Sequence, residues 1–208
     1  MKSKRSIICI SSLIFLFLAG CAGPRPKFVT AIDSVAPGSM VSAKGSQLHL
    51  LGSPVSVGNP LPSVLLVDAA SMKDVDLSSE RGKVLFLSIV PSLDTKVCEA
   101  QTHYLGEQGD KLPGTVERIA ISRDTPFAQI RFAREAKLTD IRYLSDYKEA
   151  LFGRSTGLLI DELRLLARSV ILVDRAGVVR YIQVVPEITH LPDMERAFQM
   201  AGELAGEN

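Results

Sequence analysis

Val84-Leu-Phe-Leu-Ser-Ile-Val90, followed at once by Pro91-Ser-Leu-Asp-Thr95-Lys-Val-Cys98, is the stretch on which the fold turns. The first run has the length and β-branched content of a buried strand. Pro91 ends it, and Asp94 or Thr95 can cap a helix that starts just beyond. Cys98 then falls in the first turns of that helix, where unpaired backbone N–H groups and the positive end of the macrodipole favour a thiolate. Thr95 and Cys98, three residues apart, share one helix face. The plain alternative is a cysteine that serves as a small buried apolar side chain.

Outward from this junction the chain alternates. Residues 64–67 and 84–90 read as strands, 95–108 as a helix, 116–122 as a strand, and 126–136 as a helix with Pro126 at its first position. A short strand near Tyr143, a short helix over 148–153, strands at 169–173 and 178–184, and a last helix over 192–204 complete the series. Asp174-Arg-Ala-Gly177 between two apolar runs is a hairpin turn. Such a series predicts an α/β domain, a central mixed sheet flanked by helices.

Several ordered motifs carry a resemblance. P-x-x-x-T-x-x-C over Pro91, Thr95 and Cys98 resembles the active-site signature of peroxiredoxins, and PSLDTKVC is close to the form of their thiol peroxidase branch. Pro126-Phe-Ala-Gln-Ile-Arg-Phe132 resembles that branch's helix start, and Leu166-Ala-Arg168-Ser-Val-Ile-Leu-Val-Asp174 its arginine-bearing strand. Pro186-Glu-Ile-Thr189 with Pro192-Asp193 resembles the approach to its last helix, and Gly52-Ser-Pro-Val-Ser-Val57 its N-terminal β-hairpin. The resemblance covers about residues 47–205 and implies a thioredoxin fold of the peroxiredoxin type. It implies peroxide reduction by Cys98, with Thr95 orienting the peroxide, Pro91 shielding the sulfur and Arg168 stabilising thiolate and transition state. An arginine opening an apolar strand is costly to bury unless paired, and the alternative is a side chain that snorkels to the sheet edge. The substrates implied are hydrogen peroxide and organic hydroperoxides. A homodimer is implied through a face near the active site that includes Pro126 to Phe132.

The family usually carries a second, resolving cysteine just after P-F-A-Q-x-R-F, where this chain has Ala133. Recycling then calls for an external thiol reductant, either a thioredoxin-like protein or a small thiol. Two other readings use the same fold. A disulfide oxidoreductase or copper chaperone needs C-x-x-C or C-x-x-x-C, but residues 94, 95, 101 and 102 are Asp, Thr, Gln and Thr. A retired peroxiredoxin acting as a tethered interaction or sensor protein has no physical need to keep Pro91, Thr95, Cys98 and Arg168 together.

The N-terminus speaks without any family. Lys2, Lys4 and Arg5 precede an apolar stretch over 7–18, too short to span a bilayer comfortably, and Leu18-Ala-Gly-Cys21 follows. This pattern predicts a lipoprotein signal peptide over 1–20 and lipidation at Cys21. Ala22 in the next position implies the outer membrane, with the domain facing the periplasm and the lipid anchor as its membrane partner. Of three cysteines, Cys9 leaves with the signal and Cys21 becomes a thioether, so only Cys98 stays a free thiol. Residues 21–46 hold Pro24, Pro26, Pro37, Gly38 and Gly45 without sustained periodicity. They read as a flexible tether or as a segment partly ordered on the domain surface, with the peroxiredoxin domain over 47–208.

Composition excludes little else. The balance of 24 basic to 23 acidic residues carries no nucleic-acid signal. His49, His103 and His190 are scattered, and neither a metal nor a cofactor is expected. His103, five residues beyond Cys98, sits well round the helix from it and reads as a surface or half-buried histidine.

Overall fold

A computed structural model describes residues 27–206. The expected signal peptide and the lipidation site at Cys21 lie outside the described residues. In chain order the elements are β1 (Met40–Ala43), β2 (Ser46–Leu51), β3 (Leu66–Asp68), β4 (Asp74–Val75), β5 (Val84–Ile89), α1 (Lys96–Glu107), β6 (Val116–Ser122), α2 (Pro126–Glu135), β7 (Arg142–Ser145), α3 (Leu151–Thr156), β8 (Leu159–Ile160), β9 (Ser169–Val173), β10 (Val179–Val184) and α4 (Met194–Gly206).

Seven strands form one mixed sheet in the order β10-β9-β5-β6-β7-β3-β4. Strands β5, β6 and β7 run parallel, and β9 pairs antiparallel with β5. The period of two along a strand sorts the side chains to two faces. Leu85, Leu87 and Ile89 join one apolar cluster with Ile171 and Val173, under the β2 and α3 side. Val84, Phe86, Val170 and Leu172 join the other, under α1, α2 and α4, and Cys98 belongs to this second cluster. Both faces of β5 are therefore covered, as its apolar run, broken only by Ser88, predicts.

Two expectations at the N-terminal end are corrected. The hairpin lies at β1–β2, not at 52–57, and its turn is Lys44-Gly45, both with positive φ (51° and 85°). This is the backbone of a tight hairpin turn, which glycine adopts without strain. Residues 52–57 instead run beside the exit of α3: Ser53 N–H donates to Arg154 O (2.7 Å) and Val55 N–H to Thr156 O (3.1 Å). Gly52 is required there, because a Cβ would lie 1.9 Å from the Arg154 carbonyl oxygen.

Residues 27–46 do not form a free tether either. Ala31 N–H donates to Leu191 O (2.8 Å), Leu191 N–H to Val29 O (2.7 Å) and Val35 N–H to Val184 O (3.0 Å). Gln183 Nε2 donates to Ala31 O at 2.8 Å and to Asp33 O at 3.2 Å. The segment adds backbone hydrogen bonds along β10 and the loop beyond it, so the packed domain starts by Lys27 rather than at 47.

Glu187 fastens this clasp. Its carboxylate accepts from Ser42 Oγ (2.9 Å), Lys44 N–H (3.0 Å) and Thr189 Oγ1 (2.8 Å). Partial burial works against the charged form, but these donors outweigh it and hold the carboxyl at about 2, against an ordinary 4.5. A depressed value stabilises the fold above the unfolded pKa, and that contribution vanishes as the pH falls through the folded one. Because the carboxylate lies near solvent, its share is discounted to about 1 kcal/mol. Glu187→Gln should lower the thermal midpoint by about 2–4 °C at pH 7. Melts from pH 7 downward should show the gap to wild type closing as the pH drops from 4.5 towards 2.

Candidate active site

Three pieces of chain meet at the carboxyl ends of β5 and β6. Alternation along β9 turns Val170 and Leu172 towards α1, and the same parity turns Arg168 that way, just ahead of the strand. The β5–β9 register pairs Ile89 with Ser169, which sets Arg168 level with Val90, beside the junction where α1 begins. A serine on the inward face of β5 makes room for polar contacts: Ser88 accepts a hydrogen bond from Gln101 Nε2 at 2.9 Å.

Arg168 is only 2% exposed. Its Nε donates to the Ile188 carbonyl oxygen (2.8 Å), Nη1 to Gln101 Oε1 (2.8 Å) and Nη2 to Cys98 Sγ (3.3 Å). Among the described residues no carboxylate pairs with it. A buried guanidinium without a counter-anion is costly, and the sulfur of Cys98 is the one neighbouring atom that can supply a full negative charge. The snorkelling alternative for Arg168 is therefore excluded.

Cys98 itself is 0% exposed and stands in the first turn of α1, whose N-cap position is Thr95. Neither Asp94 nor Thr95 caps the helix through its side chain. Thr95 Oγ1 donates instead to the Ser92 carbonyl oxygen at 3.3 Å, and it makes no hydrogen bond to the sulfur. Asp94 is exposed and pairs with Arg131 at 3.1 Å. The first N–H groups of α1 thus carry neither an intrahelical acceptor nor a side-chain cap, which suits them to receive a negatively charged oxygen. Pro91 is buried where β5 ends, the position expected of it.

Leu93 and Phe132 share the apolar cluster of Cys98. Phe127 does not: it is 75% exposed and lines a cleft of about 820 Å³ with Met72, Ile130, Ala133 and Tyr143, a cleft that does not include Cys98. A smaller cleft of about 410 Å³ runs beside the loop before α1, between Leu93, Asp94, Glu99, His103, Phe132 and Glu135. His103 is half-buried and bonds to Glu107 at 2.9 Å, which leaves it out of the site.

Gln101, Ser88 and the Ile188 carbonyl were not singled out from the sequence. Gln101 carried a signal nonetheless. Cys98, Gln101, Thr102 and Leu105 are the buried residues of α1, so a glutamine and a threonine occupy the apolar stripe of the helix, and buried polar groups need partners. Gln101→Leu should leave the fold intact while freeing one guanidinium N–H. The expected result is a roughly tenfold fall in the rate of Cys98 alkylation by iodoacetamide at pH 7, read by mass, with a thermal midpoint within a few degrees of wild type.

Comparisons with known proteins bear on this geometry. A family model described as Redoxin matches residues 56–198. A thiol peroxidase of Halalkalibacterium halodurans is 40% identical over 161 residues, 77% of this chain and 96% of the relative. A thiol peroxidase of Bacillus subtilis is 38% identical over 164 residues, 79% of this chain and 97% of its own length. Among solved structures, a peroxiredoxin-like protein from Aquifex aeolicus superimposes with a TM-score of 0.73 at 32% identity, covering 80% of this chain and 97% of the other. A thiol peroxidase from Chromobacterium violaceum, at 23% identity and a TM-score of 0.66, shares the fold over 79% of this chain and 96% of its own.

Proposed function

The chain belongs to the redoxin family and, within it, to the thiol peroxidases, and from that premise we propose that it reduces hydroperoxides with Cys98 as its one working cysteine. The contact between the buried Arg168 guanidinium and Cys98 Sγ, 3.3 Å long, carries the proposal. The guanidinium donates to the attacking sulfur and stays in place as charge moves to oxygen.

The reaction balances simply. The thiolate attacks the terminal oxygen of a hydroperoxide in line with the O–O bond, forming an S–O bond as the O–O bond breaks. Two electrons pass from sulfur to the peroxide, the leaving alkoxide takes a proton from solvent, and Cys98 is left as the sulfenic acid. The Val97 and Cys98 N–H groups and Arg168 face the developing charge, Thr95 orients the peroxide, and Pro91 limits water at the sulfur. A reducing thiol then condenses with the sulfenic acid, releasing water and leaving a mixed disulfide. A second thiol resolves it and returns Cys98 to the thiol. Cys98 is the free cysteine among the described residues, and Ala133 occupies the position after Phe132, so both reducing equivalents come from outside the domain, from a thioredoxin-like protein or a small thiol.

The expected leader and Cys21 put this chemistry at the periplasmic face of the outer membrane, where lipid hydroperoxides are at hand. Two measurements check the proposal. Stopped-flow mixing with hydrogen peroxide or cumene hydroperoxide should oxidise Cys98 stoichiometrically, with the sulfenic acid trapped by mass. Cys98→Ser should abolish the reaction and Arg168→Ala should slow it about a hundredfold or more; oxidation no faster than that of a free thiol would refute it. On vesicles bearing lipid hydroperoxides, lipidated protein should outpace Cys21→Ser, and equal rates would remove the membrane part.

A further inference from the structure

Asp124, in the loop from β6 to α2, holds the segment that precedes Cys98. Its Oδ1 accepts from Ser92 Oγ at 2.8 Å, and its Oδ2 accepts from Leu93 N–H at 2.7 Å and from Ser122 Oγ at 2.8 Å. One carboxylate thus binds a side-chain and a backbone donor of the loop more than 30 positions away in sequence. Ser92 passes the restraint on, since its carbonyl oxygen accepts from both Thr95 N–H and Thr95 Oγ1 (each 3.3 Å), at the first turn of α1. Leu93 is 3% exposed and packs in the cluster that contains Cys98 and Phe132.

The anchor is itself fixed. Asp124 N–H donates to Ser122 Oγ at 3.3 Å, and its carbonyl oxygen accepts from Ser145 Oγ. Ser122 also accepts from Gln129 Nε2 (3.0 Å), which reaches on to the Leu144 carbonyl oxygen (2.9 Å). Strands β6 and β7 and helix α2 therefore brace the carboxylate. Among the described residues the only other side chain bonded to residues 91–95 from outside the loop is Arg131, on Asp94, and that pair is open to water on both sides, where ion pairs count for little.

We infer that Asp124 is a positioning residue, a latch that keeps the Pro91–Thr95 loop closed over Cys98 and thereby trades peroxide attack against access of the reducing thiol. The inference rests on the one-cysteine reading. A small peroxide needs the thiolate, Arg168 and the α1 N–H groups held in register, which the closed loop provides. The external thiol must form a bond to a sulfur that is 0% exposed, so that half of the cycle draws on an opened loop. Weakening the latch should move the two half-reactions in opposite directions, which a general loss of structure does not do.

Asp124→Ala in the full chain tests this, with Ser92→Ala as the milder variant that removes a single donor. Stopped-flow oxidation of Cys98 by hydrogen peroxide should slow about tenfold. In the reduced protein, the ratio of Cys98 labelling by a polyethylene-glycol maleimide to labelling by iodoacetamide should rise about tenfold, the ratio isolating access from sulfur charge. Amide exchange at residues 92–97 should quicken while that of β5 stays unchanged. Both rates falling together, or neither moving, would overturn the latch. Should Asp124→Ala fail to fold, Ser92→Ala decides by the same signs. Labelling and exchange need no peroxidase activity, so wild type that resists oxidation would count against the proposed function and leave these two readouts to judge the latch.

Discussion

A guanidinium buried with no carboxylate beside it among the described residues is the constraint on which the rest of the site depends. Arg168 trades water for a backbone carbonyl, a glutamine oxygen and a sulfur. Two of these are neutral, and neutral acceptors return only part of the solvation that a cation loses. The third acceptor, Cys98 Sγ at 3.3 Å, is the one of the three that can carry a full negative charge, so the cost of burying the arginine ties it to this sulfur. Each supporting feature serves that geometry. Strand parity aims Arg168 at α1, and Gln101 braces it from within the apolar stripe of the helix while bonding back to Ser88. Ile188 holds its Nε from the loop after β10.

That last support explains why so much of the N-terminal segment packs against the domain. Ser42 N–H donates to the Pro186 carbonyl oxygen (2.7 Å) and Ile188 N–H to the Ser42 carbonyl oxygen (2.9 Å), on either side of Glu187. The β1–β2 hairpin thus secures the short loop whose carbonyl receives Arg168. On the other flank, β6 and β7 secure the loop before Cys98 through Asp124. Cys98 Sγ and the Arg168 guanidinium sit where two loops at the sheet's end converge, each fastened by a carboxylate that gathers donors from distant parts of the chain. Carboxylates suit this task because ionised acceptors make the stronger hydrogen bonds and take several at once.

Most of the elements were legible in the sequence. The strand after Lys83, the helix after Thr95, the Pro126 helix start and the hairpin at Asp174 all follow from local signals: an apolar run of strand length, a proline stop, a proline at the first helical position, a turn sequence. Each depends on residues within a few positions of one another. The β1–β2 hairpin escaped because Lys44-Gly45 is a weak turn signal and β1 buries little beyond Val41. Residues 27–39 stayed open between tether and ordered segment because irregular backbone bonded to a distant loop leaves no periodicity to read.

By itself the sequence determined the α/β order and the place of one cysteine in the first turn of a helix. The conjunction of Pro91, Thr95, Cys98 and Arg168 carried the resemblance that the comparisons bear out at the level of family. Only the tertiary structure decided that Arg168 meets no carboxylate among the described residues, that Gln101 and the Ile188 carbonyl complete its shell, and that Asp124 and Glu187 brace the two converging loops. The physical reason is separation along the chain. Cys98 and Arg168 stand 70 residues apart and Ser42 and Glu187 145 apart, so contacts like these arise when β9 pairs beside β5 and the N-terminal segment closes over the loop after β10. Side-chain pattern fixes which elements form, whereas register and packing fix which of their polar groups come face to face.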